Sequence, residues 1–361
     1  DAALIPCQPN TIDLGAYAAT TRHFQGIPGI ERTAKGRLFA CWYSGGTTEC
    51  HENYVLLAQN NGKGAVWQDP VMVIDPPGTV RAFDPVLWID PSERLWFFWS
   101  QCSGHIDGRC GLWATRCDAP DAGTLRWSAP SRLCNGIMMN KPTVCANGEW
   151  LLPTAIWKHC AIHPGCEDEQ FSNVVVSIDE GKTWALRGKA DVPMRECDEH
   201  MLVERCDGSL WMLVRTLYGI GECFSRDGGR TWSPGMPTTI PSPVSRFFIR
   251  RLQSKRLLLI THAYSQPNPE NNGTRPTRSH LTAYLSEDDG RTWIGGLLID
   301  ERQRVSYPDA KQSADGAIHM IYDCDRNQAG EIIITSFSEQ EILPPGSVLP
   351  PDRRTIISHF G

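Results

Sequence analysis

No run in this 361-residue sequence approaches the roughly 20 consecutive apolar residues that a membrane-spanning helix needs. Blocks of Lys and Arg are missing as well. With a net charge of -6 and a pI of about 5.9, the electrostatic footprint of a nucleic-acid binder is absent. No CxxC pair occurs among the 14 Cys, and Cys160, His163 and Cys166 make only one loose cluster, which argues against a metal centre. Segments of helical period are scarce, which excludes an all-α or alternating α/β chain. The sequence opens on Asp1 rather than Met, which reads as a mature or trimmed form and leaves any signal peptide out of view.

What is present is apolar and aromatic. A hydrophobic content of 41%, with 13 Trp, 11 Phe and 8 Tyr, suffices for a large core. The mean hydropathy of -0.32 is that of a soluble protein. Cys41, Cys117 and Cys223 lie in or at the ends of strand-like runs (FACWY, WATRC, ECFS), where a free thiol behaves as a small core hydrophobe. The length permits one domain over residues 1–361, because repeated all-β folds exceed the usual domain size.

A repeat organises the chain. Six segments, at 29–43, 85–99, 142–156, 201–214, 248–262 and 309–323, each join two apolar runs through a tight polar or Gly-containing turn, the signature of a β-hairpin. Their turn positions, Gly36, Glu93, Gly148, Gly208, Lys255 and Gly316, are spaced by 57, 55, 60, 47 and 61 residues. A third strand follows each hairpin: YVLLAQ, GLWATRC, NVVVSID, GECFSRD, LTAYLSEDD and EIIITSFSE. Six such units predict a six-bladed β-propeller of four-stranded antiparallel blades around a central channel.

Three third strands run into S-x-D-x-G-x-T-W, starting at Ser177, Ser225 and Ser286 and ending at Trp184, Trp232 and Trp293. The Ser and Asp side chains of this Asp box are suited to lock a turn, its Gly to supply the unusual backbone angle, and its Trp to pack beneath. Trp67 and Trp127 end degenerate copies. These boxes report fold rather than catalysis.

In a propeller the innermost strands begin near the channel mouth, so equivalent positions there converge. Nine residues before each turn stand Asp84, Met139, Glu199, Arg246 and Tyr307, with Gly26 as the blade-one match to Glu199. The ends of the second strands add Tyr43, Arg215, His262 and Asp323, and the starts of the third add Arg278 and Glu52, the latter in the loop Glu49, Cys50, His51, Glu52. The composite is a pocket with several arginines, carboxylates and a tyrosine. For any one of these the alternative is a surface loop residue or a structural ion pair.

With these motifs the sequence resembles the sialidase superfamily, in the subgroup carrying BNR (Asp-box) repeats. The resemblance implies an arginine triad gripping a substrate carboxylate, a Tyr nucleophile, a Glu that takes its proton, and an acid/base in an early loop. EHMLVE from Glu199, DGSL from Asp207 and Arg215 resemble the segment with the Glu and the second triad Arg. Arg278 resembles the third, and Tyr307 in VSYPD, which ends at Asp309, resembles the nucleophile. A phenol suits this chemistry, because an anomeric carbon bearing a carboxylate repels an anionic nucleophile. Arginine matches the carboxylate through its bidentate fork.

One departure stands out. Where the family has Arg-Ile-Pro, this chain has Gly26, Ile27, Pro28, and losing one bidentate contact to a buried carboxylate costs on the order of 2 kcal/mol. Arg246 is the expected replacement and Arg22 a weaker one. Glu49, His51 and Glu52 are the candidates for acid/base, Asp84 is a candidate for that role or for substrate binding, and Glu49 and Asp309 are candidates for substrate binding as well. The resemblance implies an exo-acting glycosidase for a terminal sialic acid or related nonulosonic or ulosonic acid. It implies retention through a tyrosyl intermediate, with inversion as the alternative if His51 or a carboxylate activates water. Two rivals remain: a same-fold glycosidase or lyase with another sugar, and a non-catalytic carbohydrate-binding propeller. No metal or cofactor is required. Asn272, Gly273 and Thr274 fit a glycosylation sequon.

Overall fold

The computed structural model describes residues 4–62, 66–263 and 277–360, so the Asn272 sequon lies outside the described residues. The strands form six separate sheets of four or five strands, in chain order, one per repeat. Their innermost strands are Gln25–Arg32, Val80–Ile89, Thr143–Val144, Met201–Glu204, Phe248–Arg251 and Val305–Gln312. Neighbouring strands within each blade are antiparallel, apart from a parallel fifth strand, Ser347–Val348, at the edge of blade five. No described helix is long and apolar enough to cross a membrane.

The repeat follows from local chemistry. All six expected turn residues have left-handed backbones, with φ from 59° to 97°. Glu93 and Lys255 adopt this conformation without the freedom of Gly, because the two-residue turn between paired strands requires it. Each expected third strand forms; Tyr54–Asn60 and Glu331–Phe337 are the first and last. Trp and Phe side chains fill the space between blades: Trp150 packs edge-on against Trp88 at 4.8 Å between ring centroids, and Trp184 of the first Asp box lies 6.4 Å from both Trp96 and Trp150.

In the Asp boxes, Ser177 Oγ donates to Asp179 Oδ1 at 2.8 Å, and Asp179 accepts from the Thr183 amide (2.9 Å) and hydroxyl (2.6 Å). The boxes at Ser225 and Ser286 repeat this pattern. Their aspartates are spent on their own turns. All 14 Cys are unpaired thiols, and Cys41, Cys117 and Cys223 are buried, as core hydrophobes would be. Cys102, Asp107 and Cys110 bring ligand atoms within 4.8 Å of one another, yet the Asp107 carboxylate already accepts from the amides of Ser103, Arg109 and Cys110 and so holds a turn.

The ring closes where blade six meets blade one. The last strand, Thr355–Ser358, is the outer strand of blade six. Ser358 Oγ donates to Asp69 Oδ2 at 2.8 Å, and Arg22 binds Asp69 and Ser358 in the same buried network. Arg22 is therefore a clasp at the ring closure, its bonds spent on Tyr17, Gln25, Asp69 and Ser358. On the axis, the Lys141 ammonium reaches the carbonyls of Ile30 and Leu87 and the carboxylates of Glu31 and Asp309, joining blades one, two and six.

Candidate active site

The channel mouth is built from strained backbone. The innermost strands of blades one, two and six slip register between Gly26 and Gly29, Phe83 and Val86, and Ser306 and Asp309. Inside each slip a residue followed by Pro takes a left-handed φ: Ile27 at 58°, Asp84 at 49° and Tyr307 at 54°. Glu199, just ahead of its strand, does the same at 42°. Such conformations cost roughly 1–3 kcal/mol each for residues with a Cβ, and they cluster where side chains must be aimed at a site. The structural equivalent of Asp84, Glu199 and Tyr307 in blade one is thus Ile27. Gly26, expected there from matching Ile30, Glu31 and Arg32 to Val203, Glu204 and Arg205, precedes it by one.

Tyr307 is buried and its hydroxyl donates to Glu199 Oε1 at 2.9 Å. Arg215 Nη1 donates to the same phenol oxygen at 3.1 Å and is ion-paired with Glu199 Oε1. Arg278 and Arg326 bring their guanidinium carbons to 5.3 Å and 4.1 Å from the Tyr307 ring centroid. Burial pushes the phenol pKa up and Glu199 adds to this, while Arg215, Arg278 and Arg326 oppose it. Glu199 Oε2 is buried without a hydrogen-bond partner. The arrangement is a phenol held between a proton acceptor and several cations, which is how a tyrosine becomes a nucleophile.

Two carboxyl groups complete the mouth. Glu49, with a side chain 39% exposed, lies at the rim, 3.6 Å from Arg326 Nη1, and its carbonyl is 3.2 Å from His105 Nδ1. His105 is fixed in turn by Arg81, which stacks on Phe83. Asp84 is buried deeper. Desolvation and then the Glu49 charge push its pKa up to about 8 against the opposing effect of Arg81, so at neutral pH it is a protonated acid.

The remaining expectations separate from this cluster. Arg246 does not replace the missing arginine: it is buried beneath Tyr307 and donates to the carbonyls of Met139, Pro28, Tyr307 and Pro308. Asp309 is spent on the Lys141 ammonium and the Ile30 amide, which donate to its Oδ2. His51 and Glu52 are exposed on the rim loop, where Glu52 lies against the Cys50 thiol and makes no bond to the Tyr307 group. His262 is buried, with Nε2 2.9 Å from the Val305 carbonyl, and burial pushes its pKa down to about 4, so it stays neutral. Tyr43 is buried in the core of blade one, and Asp323 holds Arg326. Arg326 escaped the sequence count because it sits in the loop beyond the second strand of blade six, Ile318–Cys324, where no repeat equivalence exists.

A family model for the BNR repeat-like domain matches residues 36–320. A sialidase of Micromonospora viridifaciens is 24% identical over 340 residues, 82% of this chain and 49% of the relative; the chain thus spans about half of that protein. Sialidase 85-1.1 of Trypanosoma cruzi is 26% identical over 194 residues, 51% of this chain and 25% of the relative. Among solved structures, the intramolecular trans-sialidase from Ruminococcus gnavus superposes with a TM-score of 0.66 at 15% identity, covering 94% of this chain and 98% of its own. The Hadza microbial sialidase Hz136 gives 0.65 at 19% identity, covering 89% and 66%. The chain is a sialidase-like six-bladed propeller and belongs to the BNR repeat-like domain family.

Proposed function

We propose that the chain is a glycoside hydrolase, one catalytic propeller over residues 1–361, that releases a terminal α-linked acidic sugar from a glycan. Sialic acid or a related nonulosonic or ulosonic acid is the substrate class. The observation that carries this reading is the buried Tyr307 hydroxyl, 2.9 Å from Glu199 Oε1 and 3.1 Å from Arg215 Nη1. A neutral phenol approaches an anomeric carbon flanked by a carboxylate without charge repulsion, and Glu199 takes its proton as the bond to carbon forms. Arg215 and Arg278 supply cations for the substrate carboxylate.

Glu49, a carboxylate beside Arg326 in the free protein, acts in its protonated form in the substrate complex and gives that proton to the departing glycosidic oxygen. Its rim position puts it on the side from which the aglycone leaves to solvent, whereas Asp84 lies deep beside Glu199. In the first step the Tyr307 oxygen bonds to the anomeric carbon, the glycosidic bond breaks, and Glu49 passes its proton to the leaving oxygen. In the second, water attacks the same carbon, Glu49 takes its proton, and Tyr307 departs with the proton returned by Glu199, so configuration is retained. Asp84, protonated, donates a hydrogen bond to the bound sugar.

Release of an aryl α-sialoside chromophore tests the reading, beside a panel of neutral and uronic aryl glycosides. Tyr307→Phe is expected to lower kcat by on the order of 10²–10⁴-fold. Unchanged turnover in that variant removes the nucleophile, and sugar binding without turnover across the panel makes the protein a carbohydrate-binding propeller.

A further inference from the structure

Gly26 pairs with Tyr43 in the innermost hairpin of blade one, and its side-chain space is taken. A Cβ there would lie 2.5 Å from Arg326 Cδ, 2.7 Å from Arg326 Cγ and 2.9 Å from Asp323 Oδ2. All three distances are below any real Cβ contact, so a side chain at 26 and the present course of Arg326 exclude each other.

Arg326 arrives from the opposite side of the blade-one/blade-six seam and is held as a binding group would be. Nε donates to Asp323 Oδ2 at 2.9 Å and Nη2 to Ser306 Oγ at 3.0 Å. Asp323 is itself fully buried and fixed, accepting from the Ile27 amide at 2.7 Å and from Ser306 Oγ at 2.6 Å. The anchor therefore fixes the guanidinium plane while leaving Nη1 with no more than a 3.6 Å ion pair to Glu49. The side chain remains 13% exposed, the same as Arg215, and its guanidinium carbon is 4.1 Å from the Tyr307 ring centroid. Arg246, by contrast, is 2% exposed and spends its Nη groups on carbonyls.

We infer that Arg326 is the third carboxylate-binding guanidinium of this site, acting with Arg215 and Arg278, and that the arginine absent from blade one has been exchanged for one that enters the same space from blade six. The inference rests on the acidic-sugar reading above and extends it. Its consequence is that Gly26 is no vacancy in the pocket: it is the condition for Arg326 to reach the carboxylate. Binding by three guanidiniums from blades four, five and six also leaves blade one to supply the rim acid Glu49, which Arg326 touches directly.

The test compares dissociation constants of 2,3-didehydro-N-acetylneuraminic acid and its C1 methyl ester, which lacks the negative charge. Wild-type protein is expected to prefer the acid strongly. Arg326→Ala is expected to weaken binding of the acid by about 30–100-fold while changing the ester by less than about threefold, and Arg326→Lys to fall between, because it keeps the charge and loses the fork. Gly26→Arg alone is expected to abolish acid binding by collision. Combined as Gly26→Arg with Arg326→Gly, the pair is expected to recover at least about tenfold over Arg326→Gly alone. Undiminished acid preference in a folded Arg326→Ala protein overturns the role of Arg326, and so does an equal loss for acid and ester. A wild-type protein that does not distinguish acid from ester overturns the acidic-sugar reading itself.

Discussion

Two sets of arginines meet the same tyrosine from opposite sides, and they differ in what they bond to. Below Tyr307, Arg246 lies with its guanidinium carbon 5.2 Å from the ring centroid and donates to four carbonyls drawn from blades one, three and six. Above it, Arg278 has one carbonyl partner, Val244 at 2.9 Å, and Arg215 and Arg326 are tied to carboxylates while remaining 13% exposed. A buried cation whose Nη groups are both spent on backbone acceptors is part of the scaffold, since burial without such partners would be prohibitive. A cation anchored by a carboxylate, with donors left over, is set for an anion that comes and goes. Proximity to Tyr307 therefore does not identify a binding residue; the partners that each guanidinium already has are the better guide.

The contrast breaks if the two sets respond alike to mutation. Arg246→Met is expected to have the largest effect, a stability loss of about 3–5 kcal/mol, since it strips a buried charge from the acceptors that surround it and leaves four inward carbonyls unpaired. Denaturant unfolding measures this, and a loss below about 1 kcal/mol would put Arg246 with the functional set. Arg278→Ala is expected to do the reverse: unfolding midpoints close to wild type, with kcat/KM on an aryl sialoside lowered by about 100-fold. A marked loss of stability with a proportionate loss of activity would make Arg278 a second structural plug.

The same contrast explains what could be read beforehand. Strand period and turn chemistry are local, so the six hairpins, their third strands and the Asp boxes were all visible along the sequence. Counting back from the turns found Asp84, Glu199, Arg246 and Tyr307 on the axis, but a count along the chain carries no information about which way along the axis a side chain points. Arg246 points down and Tyr307 up. In blade one the same count from Gly36 falls on Ile27; Gly26 came instead from setting Glu31 against Glu204, whereas the pairings of Arg32 with Leu38 and of Glu204 with Leu210 make Arg32 the match of Glu204. Arg326 was hidden for a different reason: it belongs to a loop, and its importance comes from Gly26, which is about three hundred positions away in sequence and in contact with it in space.

The two carboxyl groups of the mouth sharpen the comparison further, with a smaller effect. Asp84 is buried and holds its proton up to about 8, whereas an unfolded chain gives it up near 3.8. Between those values the folded state binds the additional proton, so this group's contribution to stability falls as pH rises from about 4 to about 8 and is level above that. Asp84→Asn cannot ionise. The variant's melting temperature relative to wild type is expected to rise across that window and then stay constant, by an amount that scanning calorimetry at pH 5, 7 and 9 would read. The kinetic counterpart is an alkaline fall in wild-type kcat/KM near pH 8, caused by loss of the donated hydrogen bond and by a new negative charge beside the incoming carboxylate; it should be absent in Asp84→Asn. Glu49→Gln should instead lower kcat throughout, because it removes the group proposed to exchange protons with the leaving oxygen and the attacking water. If the alkaline limb disappears in Glu49→Gln and persists in Asp84→Asn, the two roles are exchanged: the deep carboxyl is the acid, and the rim carboxylate belongs with Arg326 in holding the sugar.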